Sequence, residues 1–147
     1  MEFAPKDPDW QARVRASFSA QKFMAHLGAE LVHLAPGAVD LELKLRPEVT
    51  QQHGFFHAGA TTSIADSAAG YAALSLFAAG IGVLTSEFKI NLLNPARQQI
   101  LLARGRVVKP GRTLTIAKAD VYGLDDGTQV HVATGLFTLM GVSGVRD

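Results

Sequence analysis

The hydrophobic pattern of this 147-residue chain changes period more than once. Trp10, Val14 and Phe18 recur every four residues, which is the spacing of one face of a helix. Asp7 is placed to cap that helix, Pro8 suits its first turn, and Gly28 marks its end, so a helix over about residues 8–26 is predicted. From Val39 the period drops to two. Val39, Leu41, Leu43 and Leu45 alternate with Asp40, Glu42, Lys44 and Arg46, the signature of a strand with one buried face. Residues 29–35 read as its hairpin partner, turning at Pro36-Gly37.

After a loop at 47–56 comes a long apolar helix, predicted from Ala58 to Ala79 and stopped by Gly80 and Gly82. Four strand-like segments follow at about 83–93, 98–108, 113–122 and 129–140. Asn94-Pro95-Ala96, Lys109-Pro110-Gly111-Arg112 and Asp125-Asp126-Gly127 separate them as turns. Strands joined by such short turns run antiparallel, and one apolar helix suffices to cover one sheet face. The expected class is α+β, as a single domain over 1–147 with a core of about 25–142.

Composition narrows the class further. With 48% hydrophobic and 18% charged residues the chain is globular, and a formal net charge of +1 gives no general pull toward nucleic acid or anionic membrane. The absence of cysteine removes thiolate chemistry and disulfides, and fits a reducing cytoplasm. Met1 to Asp9 is acidic and broken by proline, unlike a signal sequence. The apolar stretch 68–84 contains Gly70, Ser75, Gly80 and Gly82 and runs into a strand pattern, so a buried helix and turn are expected rather than a membrane span.

Within this frame one charge stands alone. Across positions 49 to 86 the only Asp, Glu, Lys or Arg is Asp66. On the predicted helix it shares a face with Thr62, Ser63, Ala69, Gly70 and Ala73, with no cation within a turn. An unpaired carboxylate on such a face is costly to bury and gains a raised pKa, which suits a general base or nucleophile. A local hydrogen bond to Thr62 or Ser63, or contact with water, is the plainer alternative. Ala58 and Gly59 open the same helix, where free backbone N–H groups and small side chains suit an oxyanion. His57 reads equally as a group that orients substrate and as a helix cap. His53, His57 and Asp66 do not have metal-ligand spacing on a loop, so neither metal nor other cofactor is expected.

The spacing His57-Ala58-Gly59, six residues, then Asp66, with the later Asn91-Leu92-Leu93-Asn94-Pro95-Ala96, resembles the hotdog-fold acyl-CoA thioesterases of the phenylacetate-pathway (PaaI-like) type. The resemblance spans roughly residues 25–142. It implies an antiparallel sheet wrapped around a long central helix, an acyl-CoA substrate, and a homodimer or homotetramer with sites built from two chains. The family motif has Gly where this chain has Ala58, which serves if its φ is negative. It places Gln51 where an Asn is usual, and adds Thr85, on the strand after the helix, to the site.

Coenzyme A carries phosphates, and Lys89 to Lys118 holds seven basic residues and no acidic one. Arg104 and Arg106 fit a solvated strand face. Lys109 and Arg112 project from a hairpin tip and are the first expectation for phosphate binding, with Arg97 next. The stretch lacks the interleaved aromatics of a nucleic-acid platform. Phe55, Phe56 and Tyr71 fit an acyl pocket or simply the core. Two other functions share these residues. An acyl-thioester hydratase would pair His57 with Asp66 but should carry a Gly-His-Phe-Pro signature that this chain lacks. A non-catalytic acyl-CoA sensor should carry a second module.

Overall fold

A computed structural model describes residues 2–145. Two short helices, α1 (Trp10–Ala20) and α2 (Lys22–Leu27), precede the hairpin β1 (Glu30–Ala35) and β2 (Ala38–Lys44). The long helix α3 (Ala58–Leu74) follows, then β3 (Ile81–Leu92), β4 (Ile100–Lys109), β5 (Leu114–Asp125) and β6 (Thr128–Ser143). The strands form one six-stranded antiparallel sheet in the order β1-β2-β4-β5-β6-β3. It wraps around α3, which packs against β2 through β6. Among the described residues no helix is long and apolar enough to cross a membrane.

The hairpin turns at Pro36-Gly37 as expected, with Gly37 at φ 71°. Along β2, Val39, Leu41 and Leu43 are buried and their neighbours are not. The face of α3 toward the sheet is made of alanine: Ala65, Ala68, Ala69, Ala72 and Ala73 are all fully buried. Helix and sheet approach closely there. A Cβ on Gly105 of β4 would lie 2.3 Å from the backbone of Ala68, so only glycine fits.

Four details differ from the sequence expectation. The N-terminal helix breaks at Gln21, which is extended (φ −76°, ψ 99°), so 8–26 holds two helices. Asp7 does not cap α1. Its carboxylate accepts from the Asp9 amide at 2.9 Å and lies 3.1 Å from Arg13 Nε. Arg13 in turn holds the far end of α3, donating to the carbonyls of Leu74 (3.1 Å), Phe77 (2.8 Å) and Ala78 (2.9 Å). That is where a helix presents unpaired acceptors and partial negative charge.

Third, α3 ends at Leu74 rather than Ala79. Ser75 turns the chain by donating to Ala72 O (2.6 Å) and accepting from the Gly37 amide (2.8 Å). Fourth, β3 and β4 are not neighbours despite their short connection. The Asn94-Pro95-Ala96 segment crosses the sheet, and β3 pairs with β6 at the edge. A bulge between Thr85 and Glu87 shifts the parity of β3. Thr85 therefore faces α3 before it, and Phe88 stacks on buried Phe137 after it, their rings 5.4 Å apart.

Candidate active site

Asp66 projects from the middle of α3 into a hollow of about 340 Å3 between α1, α3 and β3. Its bond is not to Thr62 or Ser63. Thr85 Oγ1 donates to Asp66 Oδ1 at 2.7 Å, while Ser63 donates to Gly59 O at 2.6 Å. Burial pushes the Asp66 carboxyl above its ordinary 3.8, and the Thr85 hydroxyl pulls partly the other way by stabilising the charged form. Among the described residues no Lys or Arg lines the hollow. Its remaining lining comes from Ser67, Gly70, Tyr71 and Leu74 of α3, from Ser17, Ala20 and Gln21, and from Val83 and Val145.

The start of α3 opens into a second hollow, of about 540 Å3, lined by Gln51, Phe55, Phe56, His57, Ala58 and Leu92 among others. His57 is the N-cap of α3. Its Nδ1 accepts from the Gly59 amide at 2.8 Å, so of the two amides singled out in the sequence the Gly59 one is already engaged. The Ala58 amide has no acceptor among the described residues, and Ala58 lines the second hollow. Among the described residues no non-glycine has positive φ, so Ala58 replaces glycine without strain. Gln51 shapes the loop ahead of the helix. Its side-chain oxygen accepts from the His53 amide and, at 3.4 Å, from that of Phe55.

These residues fall into two groups that do not meet within one chain. Eight residues at about 1.5 Å each separate Ala58 from Asp66 by ~12 Å along α3. One thioester carbonyl cannot touch both. The basic candidates divide as well. Arg97 lies over the Phe55 ring at 5.0 Å, beside the second hollow. Lys109 and Arg112 sit at the far end of α3 from it, where Arg112 lines a crevice with Phe3, Lys6 and Leu76. Phe56 is buried, with its amide on Ala96 O at 2.8 Å, and serves the core as much as the hollow. Sequence reasoning missed Ser17, Gln21 and Ser67. A serine or glutamine in a helical pattern carries no signal of its own, and only the packing of α1 on α3 brings these three together.

The chain belongs to the thioesterase superfamily, whose family description matches residues 53–130. A thioesterase family protein from Silicibacter pomeroyi superposes with a TM-score of 0.90 at 48% identity, over 92% of this chain and 99% of that one. Acyl-coenzyme A thioesterase 13 of Homo sapiens is 30% identical over 110 residues, 74% of this chain and 78% of the relative. The PaaI protein of the E. coli phenylacetic acid degradation operon has a TM-score of 0.82 at 18% identity, over 95% of this chain and 97% of that one, a likeness of fold alone. The sheet wrapped on its helix is therefore the hotdog fold, and relatives named thioesterase or esterase place the chain among hydrolases.

Proposed function

We propose that the protein hydrolyses acyl-CoA thioesters to free acid and CoA, in a site completed by a second copy of the chain. The observation that carries this is Asp66, a half-buried carboxylate with a raised pKa, held by one hydroxyl and facing an open hollow to which no described residue brings a cation. Such a group either draws a proton from water as it adds to the thioester carbon, or attacks that carbon itself. In both routes the carbonyl oxygen gains charge and the C–S bond then breaks, the CoA thiolate leaving and taking up a proton; in the second, water then hydrolyses the Asp66–acyl anhydride, releasing the acid and restoring the carboxylate. The Ala58 amide at the positive end of α3 suits that oxygen, and His57 keeps the first turn in place.

With Ala58 and Asp66 ~12 Å apart on one helix, this reading takes the two groups that serve one carbonyl from different chains. Strand β3 offers the seam. It is a 12-residue edge strand with Leu84, Phe88 and Leu92 about half exposed, a combination that isolated proteins avoid. A two-fold pairing along β3 sets each Asp66 against the partner's helix start, in a homodimer or a pair of such dimers. Gln51 and the Arg97–Phe55 pair, at the rim of the second hollow, then face the coenzyme.

Two assays test the reading. Incubation with an acyl-CoA panel and a thiol reagent reports free CoA; hydration of an enoyl ester, or binding alone, would reject hydrolysis. Mixing then locates the halves of the site. Asp66→Asn and Gly59→Val are each expected to be inactive, but unfolding and refolding them together restores about a quarter of the sites, since half the dimers hold one intact pair. No recovery would place both halves in a single chain.

A further inference from the structure

The hollow behind Asp66 has more character than a water channel requires. It runs along α3 from Asp66 past Gly70 to Leu74, about 12 Å at the helical rise. Gly70 lies one turn beyond the carboxylate, inside a helix, where glycine costs stability. A Cβ there would meet nothing within 4 Å, so packing does not demand the glycine. What its absent side chain provides is room, next to the reactive group.

The walls of the hollow differ. On one side β3 presents Val83. On the other, α1 and α3 present paired polar groups. Ser67 Oγ donates to Gln21 Oε1 at 3.2 Å beside Asp66, and Ser17 Oγ to Tyr71 Oη at 3.4 Å one turn deeper. The break between α1 and α2 falls on Gln21, which sets that side chain into the hollow. With Oε1 engaged, its Nε2 hydrogens point to no acceptor among the described residues.

Resting on the thioesterase reading, we infer that this hollow is the acyl-group site and that it selects acyl groups bearing a hydroxyl or similar polar group about one helical turn beyond the thioester carbonyl. Gln21 and Ser17 are the selecting residues, and Gly70 is the opening that admits the chain. A plain alkyl group in the same place strips water from the polar wall and returns no hydrogen bond.

The test uses a matched pair, hexanoyl-CoA and 5-hydroxyhexanoyl-CoA, with propionyl-CoA as the short reference. The wild-type protein should prefer the hydroxylated ester by roughly tenfold in kcat/KM, the worth of one hydrogen bond. Gln21→Leu should bring that ratio to within twofold of unity, and Ser17→Ala should reduce it part of the way should the first variant fold poorly. Gly70→Leu should lower the hexanoyl-to-propionyl ratio at least tenfold, while Gly70→Ala should melt at a higher temperature than wild type. A preference for plain hexanoyl-CoA, or ratios untouched by Gln21→Leu and Gly70→Leu alike, would overturn the inference. Calorimetric binding of the same pair to Asp66→Asn separates it from the thioesterase reading. Discrimination in binding without hydrolysis by wild type keeps the pocket and rejects the reaction; equal affinities, or no binding of either ester, reject the pocket.

Discussion

Thr85 reaches across from the edge strand to give Asp66 its hydrogen bond, a 2.7 Å contact between Oγ1 and Oδ1 beside a bulge. The hydroxyl stabilises the charged carboxylate against the burial that raises its pKa. Thr85→Val keeps the shape and removes the donor, so the carboxyl pKa should rise further. The acid limb of kcat/KM, already centred above the ordinary 3.8, should then move to higher pH, and Thr85→Ser should return it. An acid limb that stays in place would separate Thr85 from the titrating group.

Asp66→Asn should fold and lose roughly 10²–10⁴ in turnover, the usual worth of a positioned base. It should also be more stable. A folded-state pKa above the unfolded one means that the native protein pays for the charge once the group ionises. The gain in melting temperature should be largest near pH 7–8 and fade as the pH falls toward about 3.9, where the unfolded carboxyl also binds its proton. Turnover within threefold of wild type at saturating substrate would remove Asp66 from the chemistry.

The helix start should be sensitive to bulk. A Cβ on Gly59 would lie 2.9 Å from His57 Nδ1, so Gly59→Val displaces the cap as well as crowding the approach to Ala58. Turnover should fall by ~10²–10³, the cost of one oxyanion donor. His57→Ala, which loses only the cap, should cost about 1 kcal/mol in urea unfolding.

Arg13 is expected to matter for stability and not for chemistry. Arg13→Met leaves Asp7 buried without its cation and takes the guanidinium from the carbonyls of Leu74, Phe77 and Ala78, of which Leu74 and Ala78 keep a backbone donor. A loss of about 3–5 kcal/mol in denaturant unfolding is expected.

For the coenzyme, Arg97→Ala should raise KM for an acyl-CoA with little change in kcat, because a phosphate contact binds ground and transition states alike. The effect should disappear with the N-acetylcysteamine thioester, which has no phosphate. Lys109→Ala with Arg112→Ala, at the far end of α3, should leave KM alone; a raised value there would return the phosphates to the hairpin tip.

Much of this was legible from local pattern. The alternation from Val39 to Leu45 marks β2 because one face is buried and the other wet, and the lone charge of Asp66 stands out for the same reason. Pairing beyond a hairpin was not legible. Nothing in Asn94-Pro95-Ala96 says that the chain crosses the sheet to leave β3 at the edge beside β6, since the reward lies in covering α3 rather than in the turn. Gln21 and Lys109 show the same limit in the site. Packing between elements far apart in sequence sets Gln21 beside Asp66 and Lys109 at the opposite end of α3 from Ala58.

The close seat of α3 on Gly105 puts two different constraints on change along the helix. Positions 65, 68, 69 and 72 are fully buried, with the backbone of 68 and 69 seated against Gly105, and larger residues there should lift the helix and draw Asp66 away from Thr85. Position 70, on the open side, is free of that constraint. Among descendants of this sequence, altered substrate range should therefore be written at positions 17, 21 and 70, while the alanines opposite stay small whatever acyl group the lineage comes to use.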